Sequence, residues 1–209
     1  MTQEHRGFAA WMPLERLARS IRKRIAIWRD EPMPLHTPDR EFLEQRIFPF
    51  LNARAAAGQK LLFIGVAAYT RHYYPQLRYD VHTIDFNRRA KKYGHAGRHV
   101  VGSATELTRF YGREFDVIVA NGLIGYGLDD REGFRRLLQM CHACLREGGV
   151  LILGYNDNAS HLDFAVRDVE EYRGFVEFVP AIDLVTAATI KVNPANDHTF
   201  VFLKRGPLR

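Results

Sequence analysis

The chain has 209 residues, 46% hydrophobic and 26% charged, with two cysteines and a net charge of +6. That size buries a full core and leaves room for one domain plus an appendage, and the composition excludes disordered and fibrous classes. Two cysteines exclude a disulfide framework, no apolar run reaches bilayer length, and no hydrophobic signal core precedes a small-residue cleavage site, so a cytoplasmic location is expected.

The charge is unevenly placed. Residues 1–30 hold Arg6, Arg16, Arg19, Arg22, Lys23, Arg24 and Arg29 against Glu4, Glu15 and Asp30, a net of +4, so the remaining 179 residues carry only +2. Between Trp11 and Trp28 the apolar residues Leu14, Leu17, Ile21 and Ile25 recur at helical spacing opposite an Arg/Lys face. This predicts a basic amphipathic helix, followed by a linker at Asp30-Glu31-Pro32-Met33-Pro34. Thr37 with Pro38 reads as the start of a second helix, with Pro49 kinking it and Gly58 closing it.

From there strands and helices alternate. Continuous or alternating apolar runs predict strands at Lys60–Gly65, Tyr79–Asp85, Arg98–Val101, Phe115–Ala120 and Val150–Leu153. Asp129 and Asp130 cap a helix whose face is Phe134, Leu137, Leu138, Cys141 and Leu145, broken by Gly148-Gly149. Leu184–Val192 and Thr199–Lys204 flank a short turn cluster, so these two strands must be antiparallel. The expected fold is an α/β, Rossmann-like, doubly wound and mostly parallel seven-stranded sheet. A C-terminal antiparallel hairpin completes it, with a helical extension at residues 1–36 and the main domain at 37–209.

The ordered set of Gly65 after the first strand, Asp85 ending the second, Gly102-Ser103-Ala104 after the third, Phe115-Asp116-Val117-Ile118 and Leu145–Leu151 resembles class I S-adenosylmethionine-dependent methyltransferases over roughly residues 40–205. IGVAAYT, TIDFNRRAKKYG, HVVGSA, NGLIGYGLDD and LGYND look more narrowly like a bacterial methyltransferase-like group of unassigned substrate. The resemblance implies S-adenosyl-L-methionine as cofactor. It would be held by Gly65, Val66, Tyr69, Asp85, Phe86, Ser103, Ala104, Asn121 and Gly122, with Asp85 on the ribose hydroxyls and Asn121-Gly122 beside the sulfonium. Tyr126, Asp157 and His161 are the candidates for a general base. The sequence departs from the family at Gly65-Val66-Ala67-Ala68-Tyr69-Thr70, which has one glycine where two or three are common, and Val66–Arg78 is short for a crossover helix.

Other constellations read as structural. Cys141 and Cys144 form one CxxC on the apolar face of a helix, which suits core packing better than zinc or redox chemistry. The histidines show no metal spacing, and no metal is expected. Arg88, Arg89, Lys91 and Lys92 form a basic cluster without interleaved aromatic residues, and Asn121-Gly122-Leu123-Ile124 is not the motif of base amino methylation, so nucleic acid is disfavoured as a partner. The expected activity is methyl transfer to an oxygen or nitrogen of a small-molecule acceptor such as a sugar or cell-envelope precursor. The alternative is a non-catalytic member of the fold acting as a partner or scaffold through the basic helix. That helix, at residues 11–28, could pack on the domain, form a homodimer, or contact an anionic membrane surface.

Overall fold

The computed structural model describes residues 35–124, 127–128 and 130–207. The expected basic helix at 11–28 lies outside the described residues. Thr37 precedes α1 (Pro38–Phe42), with Pro38 at the first helical position and the Glu41 amide donating to the Thr37 carbonyl at 2.9 Å. The helix then widens through a π segment (Leu43–Ile47) and resumes as α2 (Phe48–Asn52). A proline has no N–H and crowds the carbonyl four residues back, and the widened turns ahead of Pro49 accommodate it. The helix therefore ends at Asn52, not at Gly58, which stands in the loop before β1 with φ +80°.

The strands are β1 (Lys60–Ile64), β2 (Asp80–Asp85), β3 (His99–Val101), β4 (Phe115–Asn121), β5 (Leu145–Asn156), β6 (Phe175–Glu177), β7 (Thr189–Asn193) and β8 (His198–Arg205). They form one sheet in the order β3-β2-β1-β4-β5-β8, parallel through β5 and antiparallel at β8. Among the described residues there are eight strands where seven are expected. β6 pairs with the Leu203–Arg205 end of β8, and β7 with the His198–Val201 end. The two short strands thus share one edge position, split by an excursion through residues 178–188. Leu184, expected in a strand, lies on that excursion with φ +65° and 93% exposed.

Alternation along the strands builds two cores. Leu62, Ile64, Ile118, Leu151 and Leu153 face α3 (Arg131–Cys144) through Phe134, Leu137, Leu138 and Cys141. Leu61, Phe63, Val117, Ile152, Phe200 and Phe202 face the π segment and α2 through Leu43, Ile47, Phe48 and Leu51. Because both faces are covered, strand after strand reads as an unbroken apolar run. α3 starts on the Asp130 cap, whose Oδ1 accepts from the Gly133 amide. It stops at Cys144, earlier than Gly148, because Leu145 already pairs with Phe115 across the sheet. Cys141 and Cys144 are both buried against the sheet, and burial pushes the Cys144 thiol up to about 11. The connections after β1, β2 and β3 are turns of 3-10 helix (Ala68–Thr70, Tyr74–Gln76, Arg88–Tyr93 and Ala104–Arg109), so these crossovers lack long helices. Among the described residues no helix is long and apolar enough to cross a membrane.

Phe202, fully buried on β8, fills the core between sheet and α2. Phe202→Ala is expected to destabilise by about 3–5 kcal/mol in denaturant unfolding, whereas Leu184→Ala should change stability by less than about 0.5 kcal/mol.

Candidate active site

The cleft lies at the carboxyl ends of the parallel strands, between β2, β1 and β4, where the strand order reverses. Open α/β sheets bind ligands at that reversal. The cavity there is about 140 Å3, lined by Arg40, Gly65, Val66, Tyr69, Thr70, Asp85, Phe86, Gly102, Ala104, Asn121, Gly122 and Leu123, with apolar walls from Phe63, Ile64 and Ile84.

Gly65 ends β1 with φ +83°, donating its amide to the Ile84 carbonyl at 2.9 Å. A side chain there would be strained by the left-handed backbone and would meet Leu123 Cδ2 at 3.0 Å. Asp85 holds the next turn. Its Oδ2 accepts from the Val66 amide at 2.8 Å and its Oδ1 from the Asn87 amide at 2.7 Å. Each oxygen keeps a second lone pair. Phe86 follows, 69% exposed beside the cleft. After β3, Gly102 and Ala104 line the cavity but Ser103 does not: its hydroxyl accepts from the Thr105 amide at 3.2 Å and pairs with Thr105 Oγ1 at 2.8 Å. The only other sequence candidates away from the cavity are the loop residues. Asp157 is exposed, its amide donating to the Asp197 carbonyl, and His161 Nδ1 lies 2.9 Å from Asn158 Oδ1. Tyr126 lies outside the described residues.

Two contributions escape sequence reading. Arg40, on α1, is buried and lines the same cleft as Asp85. It donates to the Tyr69 hydroxyl at 3.2 Å, its guanidinium carbon sits 4.6 Å from the Tyr69 ring centre, and its Nε is 3.3 Å from Asp39 Oδ2. Behind Asn121 lies a buried polar cluster. His198 Nδ1 is 2.8 Å from Asn156 Oδ1 and its Nε2 3.0 Å from Asn121 Oδ1, while Asn193 donates to Asp39 at 3.1 Å. Asn121 Nδ2 is buried without a hydrogen-bond partner among the described residues. These pairs are separated by 42 to 154 residues in sequence, so no local pattern announces them.

The fold is that of the class I S-adenosylmethionine-dependent methyltransferases. Among solved structures, the N-methyltransferase NodS of Bradyrhizobium japonicum WM9, in complex with S-adenosyl-L-homocysteine, is 19% identical, with a TM-score of 0.59 over 82% of this chain and 89% of that one. A TehB-like SAM-dependent methyltransferase of Corynebacterium glutamicum is 18% identical, with a TM-score of 0.59 over 93% of this chain and 100% of that one. The 1,6-didemethyltoxoflavin-N1-methyltransferase of Burkholderia thailandensis, with bound 1,6-didemethyltoxoflavin and S-adenosylhomocysteine, is 13% identical, with a TM-score of 0.58 over 99% of this chain and 94% of that one. No protein-family model and no curated protein matches the sequence.

Burial pulls the His198 imidazole down to about 4, with the nearby Arg40 cation reinforcing and the Asp39 carboxylate opposing the shift. Below about pH 6.5 the unfolded chain takes up a proton at His198 that the folded protein refuses. The stability that this residue confers is therefore complete above about pH 6.5 and lost progressively down to about pH 4, at no more than about 1.4 kcal/mol per pH unit. His198→Gln should flatten that part of a stability profile measured by urea unfolding between pH 4 and pH 7.

Proposed function

We propose that the protein transfers the methyl group of S-adenosyl-L-methionine to an oxygen or nitrogen of a small molecule, with a sugar or cell-envelope precursor as the acceptor class. One observation carries this reading. The Asp85 carboxylate stands at the end of β2, bonded to the Val66 amide, and lines one cavity at the strand-order reversal together with Gly65, Asn121 and Gly122. The likeness of the fold to methyltransferases, two of them N-methyltransferases by name, supports it.

The residues suit such a cofactor in kind. Asp85 has lone pairs left for the two ribose hydroxyls, and its hydrogen bonds to two backbone amides fix its direction before any ligand arrives. Phe86 and Ala104 offer apolar surface to the adenine. The Arg40 guanidinium matches a carboxylate in bidentate geometry and would take the methionine end. Asn121 and Gly122 border the position of the sulfur. The bound cofactor supplies an electrophilic methyl on a cationic sulfur, and the chain's part is to align acceptor and methyl and to exclude water. The loops after β4 and β5, carrying Tyr126, Asp157 and His161, hold the acceptor and receive its proton.

Room is the tighter constraint. The cavity of about 140 Å3 is below the 300 Å3 or more of ordinary ligand pockets, and Arg40 stacked on Tyr69 narrows it. The same closure favours a second reading, a non-catalytic member of the fold that acts through a partner.

Calorimetric titration separates the two. S-adenosylmethionine and S-adenosylhomocysteine are expected to bind at micromolar concentration and NAD not at all. Asp85→Ala should abolish binding, and Arg40→Ala should weaken it about 10–100-fold, the cost of one charge-assisted contact. Silence at millimolar ligand overturns methyl transfer in favour of the second reading.

A further inference from the structure

The described residues also form a concavity much larger than the cofactor cleft. It is an open groove of about 1000 Å3 between the turn after β1 and the segment joining β2 to β3. Its lining includes Arg71, Arg88, Arg89, Lys91 and Lys92 and no aspartate or glutamate. Arg88, Arg89 and Lys91 enter no ion pair among the described residues, and Lys92 rests over the Tyr93 ring at 4.9 Å. Arg135, Arg136 and Arg167, by contrast, each meet a carboxylate within 3.0 Å. The contrast extends to net charge. Residues 31–209 carry only +2, so the groove's five cations leave the rest of that stretch with an excess of acids. Like charges gathered in one concavity repel one another, and a low-dielectric wall concentrates their field on whatever enters.

We propose that this groove is an anion site for a small molecule carrying two or more linked phosphates. Its cations come from two separate segments, which suits several phosphate oxygens better than a single carboxylate. The shape and lining exclude the other polyanions. A bilayer is flat and cannot enter a concave groove. A nucleic-acid strand would want rings on which to stack its bases, yet Tyr74 is 8% exposed, with its hydroxyl donating to the Tyr93 carbonyl at 2.9 Å. His95 and His99 also line the groove. Both are tied to the Thr83 hydroxyl, which accepts from the His95 amide at 2.9 Å and lies 3.0 Å from His99 Nδ1. The wall therefore hangs from β2 and is not a loose loop. Arg88 and Arg89 stand three and four residues beyond Asp85, which sets the groove on the β2 side of the cofactor cleft. This assignment is independent of methyl transfer.

The test is calorimetric titration of the full chain with inorganic orthophosphate, pyrophosphate and tripolyphosphate. Pyrophosphate and tripolyphosphate are expected to bind at micromolar concentration, orthophosphate at least tenfold more weakly, and all three less tightly as salt rises. The double reversal Arg88→Glu, Lys91→Glu should reduce pyrophosphate binding at least tenfold. Neutralising Arg19, Arg22 and Lys23 to glutamine should leave it within twofold. The imidazole resonances of His95 and His99 in the unaltered protein should shift on adding pyrophosphate, a readout that needs no variant to fold. No heat at millimolar pyrophosphate overturns the proposal. So does equal loss on neutralising the N-terminal cations, or a 20-mer oligouridylate binding more tightly than tripolyphosphate.

Discussion

The Asp85 carboxylate is the point from which the cleft end of the sheet hangs. Its two oxygens accept from the amides of Val66 and Asn87, and its own carbonyl accepts from the Gly102 amide at 3.0 Å. Three loops, those after β1, β2 and β3, are thereby tied to one residue at a strand end. A carboxylate satisfied by backbone N–H groups cannot wander, and the loops it satisfies lose an alternative partner. This explains how a first loop with a single glycine still holds its turn at the edge of the cleft. Gly65 supplies the left-handed corner, and the Asp85 side chain supplies the hold that a longer glycine-rich turn would give through its own backbone.

The other side of the cleft is organised by polarity placed inside the fold. Asp39, Arg40, Asn121, Asn156, Asn193 and His198 are all buried, and they come together at the mouth formed by α1, the ends of β4 and β5, and the start of β8. Buried polar groups need partners, and the hydrogen bonds among these residues favour one arrangement of the elements that carry them, although Asn121 Nδ2 and Arg40 Nε find no hydrogen-bond partner among the described residues. Gly154 shows how closely this is built. A methyl group there would come within 2.1 Å of Asn121 Oδ1 and 2.8 Å of Phe200 Cε1, so β5 must present bare backbone for Asn121 and Phe200 to pass. α1 is thus keyed to the end of β7 through Asp39 and Asn193, although they are far apart in sequence.

The strands were legible because burial on both faces writes itself into sequence as runs such as Lys60–Ile64 and Phe115–Asn121, and the end of β2 was legible because an acid closes its run at Asp85. What failed had long-range causes. Leu145 continues the helical pattern, but pairing with Phe115 takes it into β5. Leu184–Ala188 is rich in strand-forming residues, yet β8 has only one outer edge, and β6 already occupies part of it. In the site, Gly65, Asp85 and Asn121 follow from position at strand ends. Arg40 and His198 do not, because their relevance comes from contacts made only when the chain has closed. Ser103 illustrates the converse: its location after β3 is right for a cleft residue, but its hydroxyl is consumed by a local cap on Thr105.

Arg40 is the least settled group in this arrangement, in the energetic sense. A guanidinium carries five donors, and the one side-chain hydrogen bond that Arg40 makes among the described residues goes to the Tyr69 hydroxyl. The approach of its Nε to Asp39 at 3.3 Å is an ion contact without hydrogen-bond alignment, since Nε has no hydrogen-bond partner. Asp39 in turn divides its charge between Arg40 and the Asn193 amide. Keeping a cation under cover with so few donors answered costs stability that an apolar residue of similar size would not cost. The position makes sense when the missing partner is an anion that enters the cleft, for then the donors are completed by the ligand and the stacking on Tyr69 is exchanged for a charge-assisted pair. Closure of the cleft by Arg40 and readiness to bind are on this view one property: the group that fills the cavity is also the group with most to gain from being displaced toward a carboxylate.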